Sequence, residues 1–151
     1  MVRIGKLRDI PRLVEIGEVF VNSLKHLPED LEYSYQSTTA LMTHLVEDAD
    51  SEIFVYEDNG EILGAIGVSI TPYFFAPKWS IGTEYFFYIL PDHRSKKAGS
   101  ALLETYIQWA KDKGSDGVSM IAMSVTDKSH SQEIFEKYGF VKFETMYRMN
   151  F

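Results

Sequence analysis

The sequence lacks cysteine altogether, although the chain has 151 residues. Disulfide bonds, thiolate metal ligands and a cysteine nucleophile are therefore excluded. Long hydrophobic runs are also absent, since no stretch approaches the ~20 apolar residues that a membrane-spanning helix needs. Met1 is followed by Arg3 and Lys6 without an apolar leader segment. These absences predict a soluble, cytoplasmic protein that does not bind membranes.

Positive charge is scarce, with 15 Lys and Arg residues against 22 Asp and Glu residues and a net charge of −7. An acidic chain is not expected to bind nucleic acid by default. Its field slightly favours a cationic or amine-bearing ligand instead. The length suits one domain, 1–151, and an apolar fraction of 45% is ordinary for a packed globule.

Hydrophobic periodicity predicts alternating strands and helices, and therefore a mixed α/β fold. Asn59-Gly60 between two apolar runs predicts a hairpin, and Pro72 and Pro77 are expected to bound a loop. The predicted strands are Val2–Leu7, Ile53–Tyr56, Glu61–Thr71, Gly82–Leu90, Val118–Val125, Val141–Phe143 and Met146–Met149. One predicted helix begins at Asp9, which caps it. Three further helices are predicted at Thr38–Val46, Ser95–Lys113 and Lys128–Tyr138.

The most informative segment is Tyr88–Leu103, where an apolar strand stops at Pro91 and a helix begins after a short basic turn. The first N–H groups of a helix lack intrahelical partners, and the helix dipole makes that end partly positive. Arg94, Lys96 and Lys97 add full charges there. Because cations at a helix N-terminus oppose the dipole, an anionic ligand explains them best. The segment predicts a diphosphate site.

Together these motifs resemble the GCN5-related N-acetyltransferase (GNAT) family over nearly the whole chain. Arg94–Gly99 is similar to the family's acyl-CoA motif: Arg or Gln, two residues, Gly, one residue, then Gly or Ala. Phe135–Phe140 is similar to its Tyr-Glu-Lys-x-Gly-Phe signature, and Glu57–Gly64 matches a hairpin turn of the family. The pattern also resembles short acetyltransferase-type proteins of phages. The resemblance implies a GNAT fold, a twisted mixed sheet of about six to seven strands with helices on both faces.

The resemblance implies an enzyme that transfers an acetyl group from acetyl-CoA, by direct attack, to a primary amine on a small molecule or peptide. The helix start would bind the pyrophosphate, and the strand end would hold the pantetheine arm and polarise the thioester carbonyl. The implied cofactor-binding residues are Ile89, Leu90, Arg94, Ser95, Lys96, Lys97, Ala98, Gly99 and Ser100. Homodimers are common in the family, and the apolar final strands could pair across an axis.

Glu84 is the predicted general base, because several family members place an acidic residue at this point of the strand. Burial among aromatic neighbours, including Trp79, would raise its pKa toward a useful range. The alternative is a strand-end carboxylate that pairs with a nearby cation.

Two departures from the family pattern bear on catalysis. Lys97 stands where the motif has glycine, which is acceptable only if its backbone is helical. Phe135 stands where a tyrosine commonly protonates the CoA thiolate, and phenylalanine cannot donate a proton. Substitute donors are Ser124, Ser129, His130 and Tyr138, each of which could equally be a cap, loop or packing residue. The alternative function is therefore an inactive GNAT-fold module that binds CoA or a partner.

Aromatic residues outside the motif could line the acceptor pocket, or they could be ordinary surface residues. They are Tyr33, Tyr35 and the Tyr73–Phe75 segment. His26, His44 and His93 lack metal-ligand spacing, so no metal site is predicted.

Overall fold

The computed structural model describes residues 1–25, 27–94, 96–122 and 130–151. The helices are α1 (Ile10–Ser23), α2 (Tyr35–Glu47), α3 (Lys96–Asp112) and α4 (His130–Lys137). The strands are β1 (Val2–Ile4), β2 (Ser51–Asp58), β3 (Glu61–Tyr73), β4 (Ala76–Ile89) and β5 (Gly117–Val118). The predicted mixed α/β class is confirmed. None of the helices within these ranges is both long and apolar enough to cross a membrane.

The strands form one mixed sheet in the order β1-β2-β3-β4-β5. The first four strands pair antiparallel, and β4 pairs parallel with β5 after the chain returns through α3. The predicted Asn-Gly hairpin joins β2 and β3, with φ of 49° at Asn59 and 81° at Gly60. These left-handed angles match the twist of the flanking strands.

Helices cover both faces of the sheet, as predicted. The face under α1 and α2 packs Leu13, Leu45 and Ala65 in one core cluster. The opposite face, under α3 and α4, packs Ile66, Leu102 and Tyr106 in a second cluster. The two faces are thus separate apolar cores on either side of the sheet.

The loop predicted between Pro72 and Pro77 is wrong, because β3 and β4 continue through both prolines. Pro72 pairs with Ser80, and the register shifts immediately after it. A proline has no N–H for the ladder, so it is tolerated at such an irregular hairpin end. Only Phe74 and Phe75 form the turn, and they are 92% and 70% exposed.

The two final strands predicted at Val141–Phe143 and Met146–Met149 are absent, since residues 141–151 form no helix or strand. Within the described part of the chain, the sheet therefore has five strands rather than about six to seven. β5 is also shorter than predicted, and its expected end at Val125 lies outside the described residues. Alternation of apolar residues makes a segment suitable for a strand, but a ladder also needs a neighbouring edge.

Candidate active site

The candidate site lies where β4 and β5 separate. Their register comprises Ile81 with Gly117 and Gly82 with Val118. The Ser119 N–H still donates to the Gly82 carbonyl at 2.8 Å. Two residues later, the Ile121 N–H donates to the Glu84 carboxylate at 2.9 Å. The Glu84 side chain thus takes the place of a backbone partner for the segment that follows β5. Beyond Glu84, no described residue pairs with this edge of β4, which is called the open edge below.

Glu84 is buried, with 8% of its surface exposed. Burial raises its pKa from 4.5 to about 7, and the Ile121 N–H partly opposes that shift by stabilising the carboxylate. The buried Tyr106 hydroxyl of α3 lies close enough for the Glu84 charge to help raise the tyrosine pKa, after burial itself. The expected aromatic cover is incomplete, because Trp79 is 58% exposed. A carboxyl group poised near neutral pH is suited to proton transfer.

A β-bulge at Tyr85 determines which side of the sheet Glu84 occupies. Phe86 pairs with Gly67, but Glu84 pairs with Val68, so Tyr85 is the extra residue. Glu84 therefore shares the face of Val68, under α3, whereas Phe86 and the next alternate residue lie under α1 and α2. The bulge lies opposite the step from Gly67 to Val68, and a glycine inside a strand pattern, such as Gly67, indicates a bulge or a close backbone approach.

The end of β4 presents alternate backbone groups to its two sides. The Leu90 N–H donates to the Leu63 carbonyl of β3 at 2.9 Å, so it is occupied within the sheet. Because successive N–H groups of a strand point in opposite directions, those of Phe87 and Ile89 face the open edge. Both Ile89 and Leu90 are expected to hold the pantetheine arm and the thioester, but of these two residues only Ile89 directs its N–H group to that edge.

Arg94 folds back over this strand end. Its Nε donates to the Ile89 carbonyl at 3.0 Å, and its guanidinium carbon lies 5.1 Å from the centre of the Tyr88 ring. Both contacts hold the side chain next to the start of α3. Its terminal nitrogens have no partner within the described ranges and can still donate to an anion.

Lys97, which stands where the family motif has glycine, has the helical backbone that a side chain requires at this position. This residue lies in the helix and is exposed, and Asn59 is the only described non-glycine residue with positive φ. Ala98 and Gly99 are buried, and a Cβ built on Gly99 would lie 3.4 Å from Ile134 Cδ1 of α4. Their side-chain positions face the core, so only their backbone could face a ligand. Ser95 lies outside the described residues, as does the side chain of Lys96.

The last two site residues lie on the α3–α4 contact. Phe135 is 5% exposed and packs against Phe87 and Phe140, with ring centres 6.3 and 5.7 Å apart. The Tyr138 hydroxyl donates to the Glu104 carboxylate of α3, and this hydrogen bond raises the tyrosine pKa, which Ser100 partly opposes. Neither residue is well suited to protonate a thiolate. Ser124 and Ser129 lie outside the described residues, and so does the side chain of His130.

Tyr138→Phe should separate a structural from a catalytic hydroxyl. We expect a loss of about 1 kcal/mol in the free energy of unfolding, because one hydrogen bond between α3 and α4 disappears. kcat should stay within about twofold, since general acid catalysis would contribute far more. Chemical denaturation and initial-rate kinetics measure both, and a fall in kcat of about 100-fold would reassign the hydroxyl as the acid.

The aromatic residues that were predicted to line an acceptor pocket lie in two separate places. Tyr33 lines a cavity of about 190 Å³ between α1, α2 and the sheet. Tyr35 packs edge-on against Tyr33 at 5.2 Å between ring centres and is itself 53% exposed. Tyr73–Phe75 lie at the tip of the β3–β4 hairpin. The described residues include no group of three or more side chains that could hold a metal ion. His26 lies outside them.

Solved acetyltransferases share this fold. A predicted acetyltransferase from Clostridium acetobutylicum, crystallised with acetyl-CoA, is 16% identical with a TM-score of 0.78, over 99% of this chain and 95% of its own. A ribosomal-protein-alanine N-acetyltransferase from Brucella melitensis biovar Abortus 2308 is 16% identical, with a TM-score of 0.72 over 100% and 99%. An aminoglycoside acetyltransferase from an uncultured soil metagenomic sample, in complex with trehalose, is 14% identical, with a TM-score of 0.71 over 100% and 94%.

Sequence comparison gives the family directly. No curated protein sequence matches the chain. The sequence model of the acetyltransferase (GNAT) family, however, matches residues 15–140, which include α3, the β4–β5 split and all of α4. The predicted family resemblance is confirmed over most of the chain, and the protein belongs to the GNAT acetyltransferase family.

Proposed function

We propose that this acyltransferase moves an acetyl group from acetyl-CoA to a primary amine. The observation that carries the proposal is the edge of β4 that no described residue pairs with, which ends at Ile89 beside the start of α3. An extended pantetheine arm can bind such an edge as an additional strand would, through the Ile89 N–H. The acetyl-CoA complex of the 16% identical Clostridium acetobutylicum protein supports this choice of donor.

The anionic end of the donor would lie at the start of α3. Lys97 lies in the first turn of α3, and the backbone N–H groups of a first turn point out of the helix end toward an anion placed there. Arg94 supplies its terminal guanidinium nitrogens, which have no partner among the described residues, and Lys97 supplies an exposed ammonium. In the free protein these cations lie next to the partly positive end of the helix dipole, which is unfavourable. A bound diphosphate would attract both the cations and the helix end.

The acetyl transfer itself requires one proton acceptor and one proton donor. A bond forms between the amine nitrogen and the acetyl carbon while the carbon–sulfur bond breaks, and the CoA thiolate leaves with a proton. Glu84, ionised above about pH 7, would take the ammonium proton directly or through water. The Ile89 N–H would stabilise negative charge on the carbonyl oxygen. Water is the donor we propose for the thiolate, because Phe135 has no proton to give.

A second candidate function rests on Phe135 alone. A GNAT-fold module that binds CoA without turnover needs no proton donor at that position. Release of the CoA thiol in the presence of acetyl-CoA and a panel of amines separates the two functions. Turnover on any amine supports the enzyme, whereas CoA binding without turnover on any of them supports the module.

The donor site is tested by two lysines at opposite ends of α3. Lys97→Gln should weaken acetyl-CoA binding by about tenfold, because a charge-assisted phosphate contact is lost. The same variant should stabilise the free protein by a few tenths of a kcal/mol, roughly, since the dipole no longer opposes a cation. Titration calorimetry and thermal melting measure the two effects.

Lys111→Gln is the matched control, because Lys111 lies in the last turn of the same helix. It should leave acetyl-CoA affinity unchanged and slightly destabilise the free protein. Equal affinities for both variants would exclude the start of α3 as the phosphate site. A melting temperature of the unaltered protein that acetyl-CoA does not raise would count against the enzyme as well.

A further inference from the structure

We infer that the acceptor carries its amine on a compact apolar group, such as a single aromatic ring joined by a short alkyl linker. The inference rests on the proposed function and names the acceptor class for the same site. It is carried by the cavity between α1, α2 and the sheet, whose walls and size fit such a group and exclude a polyhydroxylated or polycationic one.

The cavity reaches β4 beside the open edge. Tyr85, Phe86 and Tyr88 all line it. Phe86 and Tyr88 alternate along β4 with Phe87 and Ile89, whose N–H groups face that edge. A ligand in this cavity therefore lies within one or two residues of the backbone that would hold the thioester. An amine on a short linker can span that distance, and its proton would reach Glu84, on the other face of the sheet, through water at the edge of β4.

The walls of the cavity are almost entirely apolar. Leu13, Ile16 and Phe20 contribute from α1, and Leu41 and Met42 from α2. Two polar side chains of the lining are already paired within the protein. The Tyr33 hydroxyl donates to the Val14 carbonyl at 2.8 Å, and the Thr38 hydroxyl donates to the Ser34 carbonyl at 2.9 Å.

The Tyr88 hydroxyl is different, because it is buried and has no hydrogen-bond partner within the described ranges. It can satisfy at most one or two polar atoms of a ligand. A sugar-like acceptor would bury many hydroxyls and amines against walls that cannot pair with them, which is costly. An apolar group meets no such penalty.

The volume indicates how large a group the cavity can bury. The cavity measures about 190 Å³. A dry protein cavity of about 150 Å³ lined by apolar side chains binds benzene, so this cavity has room for one ring and one or two further carbon atoms. Tyr33 forms one wall and packs directly on Gly17. A Cβ at Gly17 would lie 2.6 Å from the Tyr33 hydroxyl and would displace it.

Two valines on α1 provide a matched test. Val21 lines the cavity, whereas Val19, two residues earlier on the same helix, is 41% exposed. In the unaltered protein, kcat/KM for phenethylamine should exceed that for ethylamine, spermidine or kanamycin by about tenfold or more. Val21→Phe fills the cavity and should remove that preference, because kcat/KM for phenethylamine should fall more than that for ethylamine. Val19→Phe should change neither.

A binding measurement keeps the inference separate from the proposed function. Phenethylamine should shift the methyl NMR signals of Ile16 and Met42 in the unaltered protein and in Val19→Phe, but not in Val21→Phe. Should Val21→Phe not fold, Phe20→Leu enlarges the cavity instead and should shift the preference toward naphthylethylamine. These shifts without turnover on any amine would support the cavity ligand and overturn the acetyltransferase. Turnover that favours spermidine or kanamycin, or an absence of these shifts, overturns the inference and leaves acetyl transfer standing.

Discussion

Glu84→Gln should stabilise the protein at pH 8 by up to about 3 kcal/mol and lower kcat by about 100-fold or more. The first effect follows from the pKa of Glu84, which burial raises from 4.5 to about 7. A pKa above the unfolded value means that the fold favours the protonated carboxyl. The side chain therefore costs nothing below about pH 4.5, and its cost grows until about pH 7. Glutamine is neutral throughout and avoids that cost.

The stability effect is best measured as its dependence on pH. The difference in unfolding free energy between Glu84→Gln and the unaltered protein should increase from pH 5 to pH 8. Any constant cost of the buried amide cancels in that comparison. Denaturant titrations at the two pH values provide it. A difference that stays the same would mean that the carboxylate has an ionic partner in the folded state.

The kinetic effect has the opposite sign, since the group that destabilises the fold is the proposed base. In the unaltered protein, kcat/KM should rise with pH through about 7 as Glu84 ionises. The variant should lack that dependence. Glu52→Gln is a matched control, because burial also raises the pKa of Glu52, on β2. It should stabilise at high pH and leave kcat unchanged, and an unaltered kcat in Glu84→Gln would move the base elsewhere.

Gly64→Ala should cost about 2–3 kcal/mol of stability and weaken acetyl-CoA binding by about tenfold. A Cβ on Gly64 would lie 2.8 Å from the Tyr88 carbonyl oxygen and 3.0 Å from Ile89 Cα. Both atoms belong to the backbone of β4, which cannot turn aside as a side chain can. The end of β4 would have to move away from β3, and the proposed pantetheine edge would move with it.

Gly117→Ala serves as the control for that substitution. Gly117 lies in the same sheet on β5, and a Cβ there would meet nothing within 4 Å among the described residues. Its stability should change by less than about 1 kcal/mol. Calorimetric melting and acetyl-CoA titration of the two variants measure the contrast. Full stability in Gly64→Ala would show that β3 and β4 separate at little cost, and full affinity would exclude the end of β4 from the donor site.

Much of the fold could be predicted because its rules are local. Asn59-Gly60 produced the hairpin through backbone angles that few other residue pairs adopt easily. Gly114 ended α3 through its own φ of 77°. The basic turn after Pro91 indicated an anion site because helix starts have the same unpaired N–H groups in every protein. The family resemblance, which rests on motifs of this kind, was confirmed for the same reason.

Asp9 shows where local rules stop. The sequence predicts that it caps the first helix, but its side chain makes no capping hydrogen bond to α1. The carboxylate instead accepts a hydrogen bond from Arg3 at 2.8 Å and one from the Lys6 N–H at 2.8 Å. The Arg3 guanidinium also lowers the Asp9 pKa. A full charge from β1 is a stronger partner than a helix N–H group.

The sequence by itself determined most of the elements, the family and the residues available for chemistry. It identified Glu84, Arg94 and Lys97, and it showed that Phe135 has no proton to donate. Only the tertiary structure decided which of these face one another. The bulge at Tyr85 placed Glu84 under α3, and the packing of α1 and α2 on the sheet left an apolar cavity on the other side. Faces and cavities depend on pairings between residues far apart in the chain, and residue spacing along a sequence does not encode them.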